Sequence, residues 1–481
     1  MRPQNSFVCY SEILQGAGER WPDQIALRFH DEIWTYSELA SAAAIATSRM
    51  IEAGIGENTR VLLLMENRPE YLIAQFALSH IGAVFVTPNP YWTPSEIENA
   101  IAATAATAAV YEPRFAALTK RFIHSIPVDE LLKISPHQPP SPPSTQHSNS
   151  ARYIPFSSGS TGLPKGVVHT DASLCGGVDQ LRRHLALTSR DVLQISLPLC
   201  HVFGATMCAA AISVGAQMTL FQRFNLDTSL AHVRSAGVTI WPLAGAVAHK
   251  LAQRSDLKPS AFATLRYFMW GGSSVPPELA RDITARTGVQ FLCSYGMTEA
   301  MMVAFNPVDR PSDWKLESPG YPTHGTEVRL GSGGELEVRG VSVATGYAAT
   351  ASDSFLDDGW FRTGDLVTFD PDGRMNIVGR RKEMLKVSGF QVSPTEVEDA
   401  ILAHPDVIDV GVVGHPDGKT GEAPVAFVVR ASADLSADAL TTWAATRLAS
   451  YKLPRVYHFV SALPRTPGGK LQRHKLQPTD T

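Results

Sequence analysis

The chain has 481 residues, which exceeds the size of one hydrophobic core and predicts about two to four domains. It is 44% hydrophobic and 18% charged, as globular proteins are, and its net charge of -4 lacks the basic excess of a nucleic-acid-binding protein. It has no apolar run of a membrane span's length, no signal-peptide pattern, and five widely spaced cysteines without a CxxC pair. We therefore expect a cytoplasmic protein without a disulfide framework or a zinc site.

The first part of the chain predicts layers of helices and strands around a largely parallel sheet. A strand at 60–65 (RVLLLM), a helix at 69–83 (PEYLIAQFALSHIGA) and a strand from 84 (VFVTPN) follow one another. The stretch 135–151 is rich in Pro and Ser, which pack poorly into a core, and it predicts an exposed connector.

A loop rich in Ser, Thr and Gly follows the strand predicted at 152–156 (RYIPF). It runs from Ser157 to Lys165 (SSGSTGLPK), and its backbone N–H groups and hydroxyls suit a phosphate group. Because Pro164 precedes Lys165 and Gly166 follows it, the loop does not match a Walker A loop. It predicts a phosphate-binding loop of another kind.

The remaining chain continues this α/β pattern and then changes character. Thr170 or Asp171 can cap a helix over 173–187, and a second α/β stretch covers about 190–310. Short strands from 326 onward predict a small β-rich unit. The last part of the chain predicts an α+β domain, with helices at 393–405 and 436–450 and strands at 407–414 and 423–430.

Two stretches carry acidic side chains in settings that suit a nucleotide. In SYGMTEA (294–300), Thr298 and Glu299 could hold a phosphate oxygen and a Mg²⁺ ion together. In GWFRTGDL (359–366), Asp365 could accept two hydrogen bonds from a ribose diol. Taken alone, a Thr-Glu pair is more often the start of a helix, and a Gly-Asp pair is more often a turn.

Two further stretches carry basic side chains. Residues 379–398 (GRRKEMLKVSGFQVSPTEVE) place Arg380, Arg381, Lys382 and Lys386 around a turn at Gly389. Residues 464–473 (PRTPGGKLQR) place Lys470 on a glycine loop. Clustered cations usually form a solvated surface. The phosphate loop, the two acidic stretches and the two basic stretches together nevertheless favour one nucleotide site.

In this order the five stretches resemble the signature motifs of the adenylate-forming superfamily, which includes acyl- and aryl-CoA ligases, luciferases and peptide-synthetase adenylation domains. The resemblance extends from about 24–39 to Leu476 and is strongest to the CoA-ligase branch. It implies an α/β fold with a large N-terminal domain of layered subdomains plus a small β-rich subdomain. A small mobile α+β C-terminal domain would follow, with bounds of 1–379, a hinge at 380–382, and 383–481.

The resemblance also implies roles for individual residues. Glu299 would bind Mg²⁺, Thr298 the α-phosphate and Asp365 the ribose, while Lys470 would bridge the substrate carboxylate and the α-phosphate. Lys382 would be the hinge residue, and Gly389 would line the path of the thiol. The residues placed on the nucleotide and CoA are Ser157, Ser158, Gly159, Ser160, Thr161, Gly162, Lys165, Gly272, Ser273, Ser274, Tyr295, Gly296, Asp365, Arg380, Lys386 and Gly389. The adenine segment departs from the usual Ala-Ala-Pro, since Gly272-Ser273-Ser274 stands there.

The chemistry implied is the activation of a carboxylate, which is itself a poor electrophile. Transfer to AMP supplies a phosphate leaving group, but it brings the carboxylate up to a polyanion. Mg²⁺ and a cation between the two groups reduce that repulsion. Glu299 would bind the Mg²⁺, and Lys470 would be the cation between the groups. No covalent nucleophile is needed.

The acid itself is predicted from the residues around the expected acyl pocket. The stretch LPLCHVFG (197–204) lacks the Asp of amino-acid activators, and no Arg precedes Tyr295 to hold a second carboxylate. We therefore expect a hydrophobic monocarboxylate, an aryl acid or a short-to-medium aliphatic acid. The predicted pocket residues are His201, Trp241, Leu243, Ala244, Ala246, Met301 and Met302. His201, which is also placed among the catalytic residues, could gate the pocket, or it could instead be a packed structural residue. The two Met could equally be ordinary core.

The acceptor predicted from the resemblance is the thiol of coenzyme A. A free-standing acyl carrier protein with a phosphopantetheine thiol is the alternative, and a luciferase-like oxidation of the adenylate is a more remote one. We expect no nucleic-acid partner and either a monomer or a homodimer.

Overall fold

The structure is a computed structural model that describes residues 9–133, 149–157, 164–243, 245–272, 277–349, 351–388, 390–417, 420–465 and 471–477. Most of the predicted connector at 135–151 lies outside the described residues.

Twelve helices are found in these described ranges. They are α1 (Ser11–Arg20), α2 (Tyr36–Glu52), α3 (Pro69–Ile81), α4 (Pro94–Thr104), α5 (Ala116–Thr119), α6 (Asp171–His184), α7 (Val202–Ser213), α8 (Leu226–Ala236), α9 (Gly245–Ala252), α10 (Pro277–Thr287), α11 (Pro394–Leu402) and α12 (Ala437–Ala445).

The strands of the same ranges form four sheets. They are β1 (Ile25–Phe29), β2 (Glu32–Thr35), β3 (Arg60–Leu64), β4 (Val84–Thr87), β5 (Ala108–Tyr111), β6 (His124–Pro127), β7 (Ala151–Ser157), β8 (Lys165–Thr170), β9 (Val192–Ile195), β10 (Gln217–Leu220), β11 (Ile240–Leu243), β12 (Tyr267–Trp270), β13 (Phe291–Tyr295), β14 (Ala304–Phe305), β15 (Tyr321–Pro322), β16 (Thr326–Leu330), β17 (Glu335–Gly340), β18 (Gly346–Tyr347), β19 (Phe361–Phe369), β20 (Met375–Arg380), β21 (Leu385–Val387), β22 (Phe390–Val392), β23 (Val407–Asp417), β24 (Gly421–Arg430) and β25 (Val456–Phe459).

Two large sheets share one hydrophobic core. The seven-stranded sheet has the order β18-β8-β7-β4-β3-β5-β6, and the nine-stranded sheet the order β15-β14-β13-β12-β11-β9-β10-β1-β2. Helices α1, α2, α3, α6 and α7 contribute side chains to the cluster that contains residues of both sheets. These helices therefore form the layer between the two sheets.

The strands of the two sheets are apolar on both faces because helices cover both sides. In β3, Val61 and Leu63 belong to the shared inner core, whereas Leu62 and Leu64 pack in a second cluster with α4. This is the continuous apolar run that parallel sheets require, and β3 pairs in parallel with β4 as the sequence predicts.

Two smaller sheets follow in the second half of the chain. The order β16-β17-β19-β20 forms the predicted β-rich unit, and the last sheet has the order β22-β21-β24-β23, with β25 on β24. They lie on either side of the predicted hinge, since one ends at Arg380 and the other begins at Leu385. Helix α12 is shorter than the predicted 436–450, because it ends at Ala445 and a 3₁₀ turn begins at Ser450.

The topology determines where a ligand site can form. Strands β11, β12 and β13 run parallel, so their carboxyl ends meet at one edge of the nine-stranded sheet. In open α/β sheets, ligands bind at that edge. Within the described ranges, no helix has both the length and the apolar character to cross a bilayer.

Candidate active site

The turn after β13 carries the predicted phosphate and metal residues. It is closed by a hydrogen bond from the Met297 N–H to the Ala300 carbonyl at 2.9 Å. Gly296 lets the chain approach closely here, because a Cβ at this position would lie 2.1 Å from the Met301 carbonyl oxygen. The turn therefore has a defined shape, and it presents Thr298 and Glu299 beside the edge of the sheet.

His169 supports this turn from β8. Its Nε2 lies 2.7 Å from the Thr298 carbonyl oxygen, and its Nδ1 lies 3.2 Å from the Ser173 hydroxyl. Burial lowers the pKa of His169 to about 4. The ring is therefore neutral near pH 7 and donates its Nε2–H to Thr298. The next residue, Thr170, caps α6 through a reciprocal pair of hydrogen bonds with Ser173, which confirms the predicted helix start.

Glu299 is nearly buried, at 8% exposure, and its carboxylate is held by a neutral donor. The Tyr347 hydroxyl donates to Oε1 at 3.0 Å, and the Ala344 N–H donates to the Glu299 carbonyl at 2.8 Å. Burial and the Glu299 charge raise the pKa of Tyr347, which keeps the hydroxyl protonated. Within the described ranges Glu299 forms no ion pair with Lys or Arg. A carboxylate in this state suits a hard cation such as Mg²⁺, so Glu299 fits the predicted metal.

Asp365 lies on β19 and contacts Tyr295, the residue at which the same turn begins. It is 4% exposed, and its Oδ1 accepts from Arg380 Nε at 2.8 Å while its Oδ2 accepts from the Tyr295 hydroxyl at 2.5 Å. Arg380 faces Asp365 because the two residues are paired across β19 and β20. Burial first, and then the Asp365 charge, raise the pKa of Tyr295. The phenol therefore stays a donor and holds the carboxylate in one orientation.

The phosphate loop is described only at its two ends. Ser157 and Lys165 pair across β7 and β8, and the Lys165 Nζ lies 5.0 Å from the centre of the Tyr347 ring. Gly272 adopts a φ of +84°, a conformation that glycine accepts readily. The predicted site residues outside the described ranges are Ser158, Gly159, Ser160, Thr161, Gly162, Ser273, Ser274, Gly389 and Lys470. Lys382 lies in the turn between β20 and β21, and Lys386 lies on β21.

The predicted acyl pocket residues do not all come together. Met301 and Met302 belong to the inner core between the sheets, whereas Trp241 and Leu243 belong to the cluster on the opposite face of the nine-stranded sheet. Alternation along β11 explains this, because Ile240 faces the inner core and the next residue must face outward. Ala244 and the side chain of Ala246 lie outside the described part of the chain. The packing on opposite faces does not support one pocket that contains Trp241 and Leu243 together with the two Met. The rest of the pocket assignment stays a prediction.

Gly271, Phe203 and Ser294 lie close together at the sheet edge and form a small cluster that the sequence did not indicate. A Cβ placed on Gly271 would lie 3.5 Å from the Phe203 ring and 3.0 Å from the Ser294 hydroxyl. The nearby His201 precedes α7, and burial lowers its pKa, which favours a neutral ring. Phe203 is half-buried.

Tyr347 and His169 are the other site residues that sequence analysis missed. Tyr347 lies on a two-residue strand, and only its pairing with β8, which is distant in sequence, brings it to Glu299. A Gly-Tyr pair in a loop carries no local signal of such a role. His169 lies four residues after the end of the predicted loop, and its position near the end of β8 could have indicated a contact with the site.

Comparison with known proteins identifies the family of the chain. The family model described as AMP-binding enzyme matches residues 14–348, and the AMP-binding enzyme C-terminal domain matches residues 396–470. The chain is 32% identical to a 2-succinylbenzoate–CoA ligase of Bacillus licheniformis over 96% of this chain and 98% of that protein. It is 28% identical to a long-chain-fatty-acid–CoA ligase of Salmonella typhimurium, over 97% of this chain and 93% of that protein.

A solved structure gives the same result for the fold. The o-succinylbenzoate CoA synthetase (MenE) of Bacillus subtilis, in complex with the acyl-adenylate intermediate OSB-AMP, superposes with a TM-score of 0.88 at 26% identity. The match covers 99% of this chain and 98% of that one, and so includes the small C-terminal sheet. The chain therefore belongs to the AMP-binding family of adenylate-forming enzymes, and it is an AMP-forming acid–thiol ligase.

Proposed function

We propose that this enzyme uses ATP and Mg²⁺ to convert a hydrophobic monocarboxylic acid into an acyl-adenylate, releases pyrophosphate, and transfers the acyl group to coenzyme A. The observation that carries the proposal is the single turn 295–300. One end of it contacts Asp365 through Tyr295. At the other end Glu299 accepts a hydrogen bond from Tyr347, whose ring lies 5.0 Å from the Lys165 ammonium. The proposed ribose residue and the proposed metal ligand therefore both contact one short turn, and this supports their binding to the same nucleotide.

The proposed site residues have separate roles in the formation of the acyl-adenylate. Asp365 binds the ribose hydroxyls, and Thr298 binds the α-phosphate. Glu299 would hold Mg²⁺, which supplies charge neutralisation to the phosphates when it is bound. The MenE structure with ATP and a magnesium ion supports this choice of cofactors. Lys470 would approach from the C-terminal domain, and the division into 1–379, a hinge at 380–382 and 383–481 is part of the proposal.

The acid class is inferred from the end of β13. The side chains of Cys293 and Ser294 donate to the backbone carbonyls of Leu316 and Trp270, respectively. Among the described residues, neither side chain has a hydrogen bond to a Lys or Arg. A second carboxylate would find no cation there, which favours a monocarboxylate. The relatives that act on 2-succinylbenzoate make that acid the second candidate.

Coenzyme A is the proposed thiol. A cleft of about 180 Å³ adjoins the β21–β22 hairpin that carries Gly389, and its lining includes Ser388 and Arg455. At the same hairpin the exposed Phe390 ring stacks on Tyr451 at 4.7 Å, with the Lys452 ammonium 5.8 Å from the Tyr451 ring. Aromatic faces beside cations suit a phosphorylated nucleotide such as that of coenzyme A.

The test is pyrophosphate release from ATP with a panel of acids: 4-coumarate, a medium-chain fatty acid, 2-succinylbenzoate and phenylalanine. We expect release with one of the first two, and a CoA thioester detected by mass when CoA is added. Glu299→Gln should abolish release, whereas Glu327→Gln, which removes an exposed carboxylate on β16, should not. Preference for 2-succinylbenzoate would overturn the monocarboxylate assignment. Transfer only to a carrier protein would overturn the choice of coenzyme A, and light or oxygen uptake would indicate the oxidative branch.

A further inference from the structure

Tyr347 makes two contacts that join separate parts of the site. Its hydroxyl donates to Glu299 Oε1 at 3.0 Å, and its ring lies beneath the Lys165 ammonium at 5.0 Å. The first contact reaches the proposed metal ligand, and the second reaches the last residue of the phosphate loop. One side chain therefore contacts both a carboxylate and a cation, which carry opposite charges.

The backbone fixes Tyr347 in this place. Tyr347 pairs with Val167 and Gly346 with Val168, so β18 is an added strand on β8, the strand that Lys165 begins. The ring also packs edge-on against Phe355 at 5.3 Å. A side chain held by a strand and a second ring has few rotamers available, so its hydroxyl points in one direction.

The effect on Glu299 follows from elementary electrostatics. A direct ion pair with Lys165 would neutralise the carboxylate and weaken its attraction for a cation. A neutral phenol donor instead fixes Oε1 and leaves the negative charge on the group, while the ring face accepts the ammonium. Outer hydrogen bonds that orient a ligand commonly change metal affinity by about 10- to 100-fold.

We propose that Tyr347 is a positioning residue, which orients Glu299 toward the divalent cation and prevents Lys165 from pairing with that carboxylate. The proposal rests on the proposed function, since it requires Glu299 to be the metal ligand. It assigns Tyr347 no contact with the reacting atoms.

The test measures metal binding directly, with Mn²⁺ as a paramagnetic probe and a non-hydrolysable ATP analogue. We expect Tyr347→Phe to keep the ring over Lys165 and to bind Mn²⁺ about tenfold more weakly, as the loss of one hydrogen bond to a charged group predicts. Binding of the analogue without metal should stay unchanged. Tyr321→Phe is the matched control, because it removes a similar bond, from Tyr321 on β15 to Asp372 in the turn between β19 and β20, at 2.7 Å.

A second comparison separates positioning from a general structural effect. In a Glu299→Gln background, Tyr347→Phe should cause no further loss of Mn²⁺ affinity, because its partner has already been removed. An additive loss, or wild-type affinity in Tyr347→Phe, would overturn the proposal. Failure of the wild-type enzyme to bind Mn²⁺ with the analogue would instead contradict the proposed function. Thermal unfolding of each variant shows whether the fold is retained.

Discussion

Asp365 is held by two neighbours, Arg380 on the adjacent strand and Tyr295, which is 70 residues away in the chain. Tyr295 donates to one carboxylate oxygen and Arg380 to the other, and both come from other strands. The sequence predicts the acid and places Arg380 near it, because the family resemblance covers both motifs. It does not predict the Tyr295 bond, since β13 and β19 belong to different sheets and only the folded chain brings their residues together.

Replacement of this carboxylate should weaken ATP binding specifically. We expect Asp365→Ala to raise the KM for ATP tenfold or more, because hydrogen bonds to charged groups contribute about 1.5–3 kcal/mol each. Asp372→Ala is the control, since it breaks a similar Tyr–carboxylate bond to Tyr321 on the surface. Initial rates at varied ATP decide the matter, and equal KM values for the two variants would refute the ribose assignment.

At the scale of the elements, the sequence predicts what local pattern determines. The run β3-α3-β4 and the start of α6 at the Thr170 cap both appear as expected, because apolar spacing and capping residues are local signals. The local sequence does not show which face of the sheet a buried residue occupies, because helices cover both faces and both carry apolar side chains. For that reason the sequence grouped Trp241 with Met301, although they pack on opposite faces.

The position of Trp241 leads to a test of its role. It is 0% exposed and lies 5.8 Å from the Phe268 ring in the outer core cluster. We expect Trp241→Ala to lower the free energy of unfolding by about 3–5 kcal/mol and to leave the ranking of acids unchanged. Urea unfolding and the acid panel measure the two effects. A shift of preference toward bulkier acids would place Trp241 in the pocket wall after all.

For the whole molecule, the central question is how one small domain serves two reactions. The segment after Lys470 is bound to the C-terminal domain by Arg473, which pairs with Glu398 at 2.6 Å and with Glu383 at 2.7 Å. Glu383 follows the proposed hinge residue Lys382 directly. We therefore expect Lys470 to move with that domain. Gly389 belongs to the same domain, and one rigid body cannot present both residues to the site at once.

The most direct test of this account measures both half-reactions in variants of those two residues. One assay follows acid-dependent exchange of labelled pyrophosphate into ATP, and the other follows thioester formation from supplied acyl-adenylate and CoA. The account predicts that Lys470→Ala loses exchange by about 10² or more and keeps thioester formation. It predicts the reverse for Gly389→Leu. Loss of the same half-reaction in both variants, or exchange that does not require an acid, would contradict it.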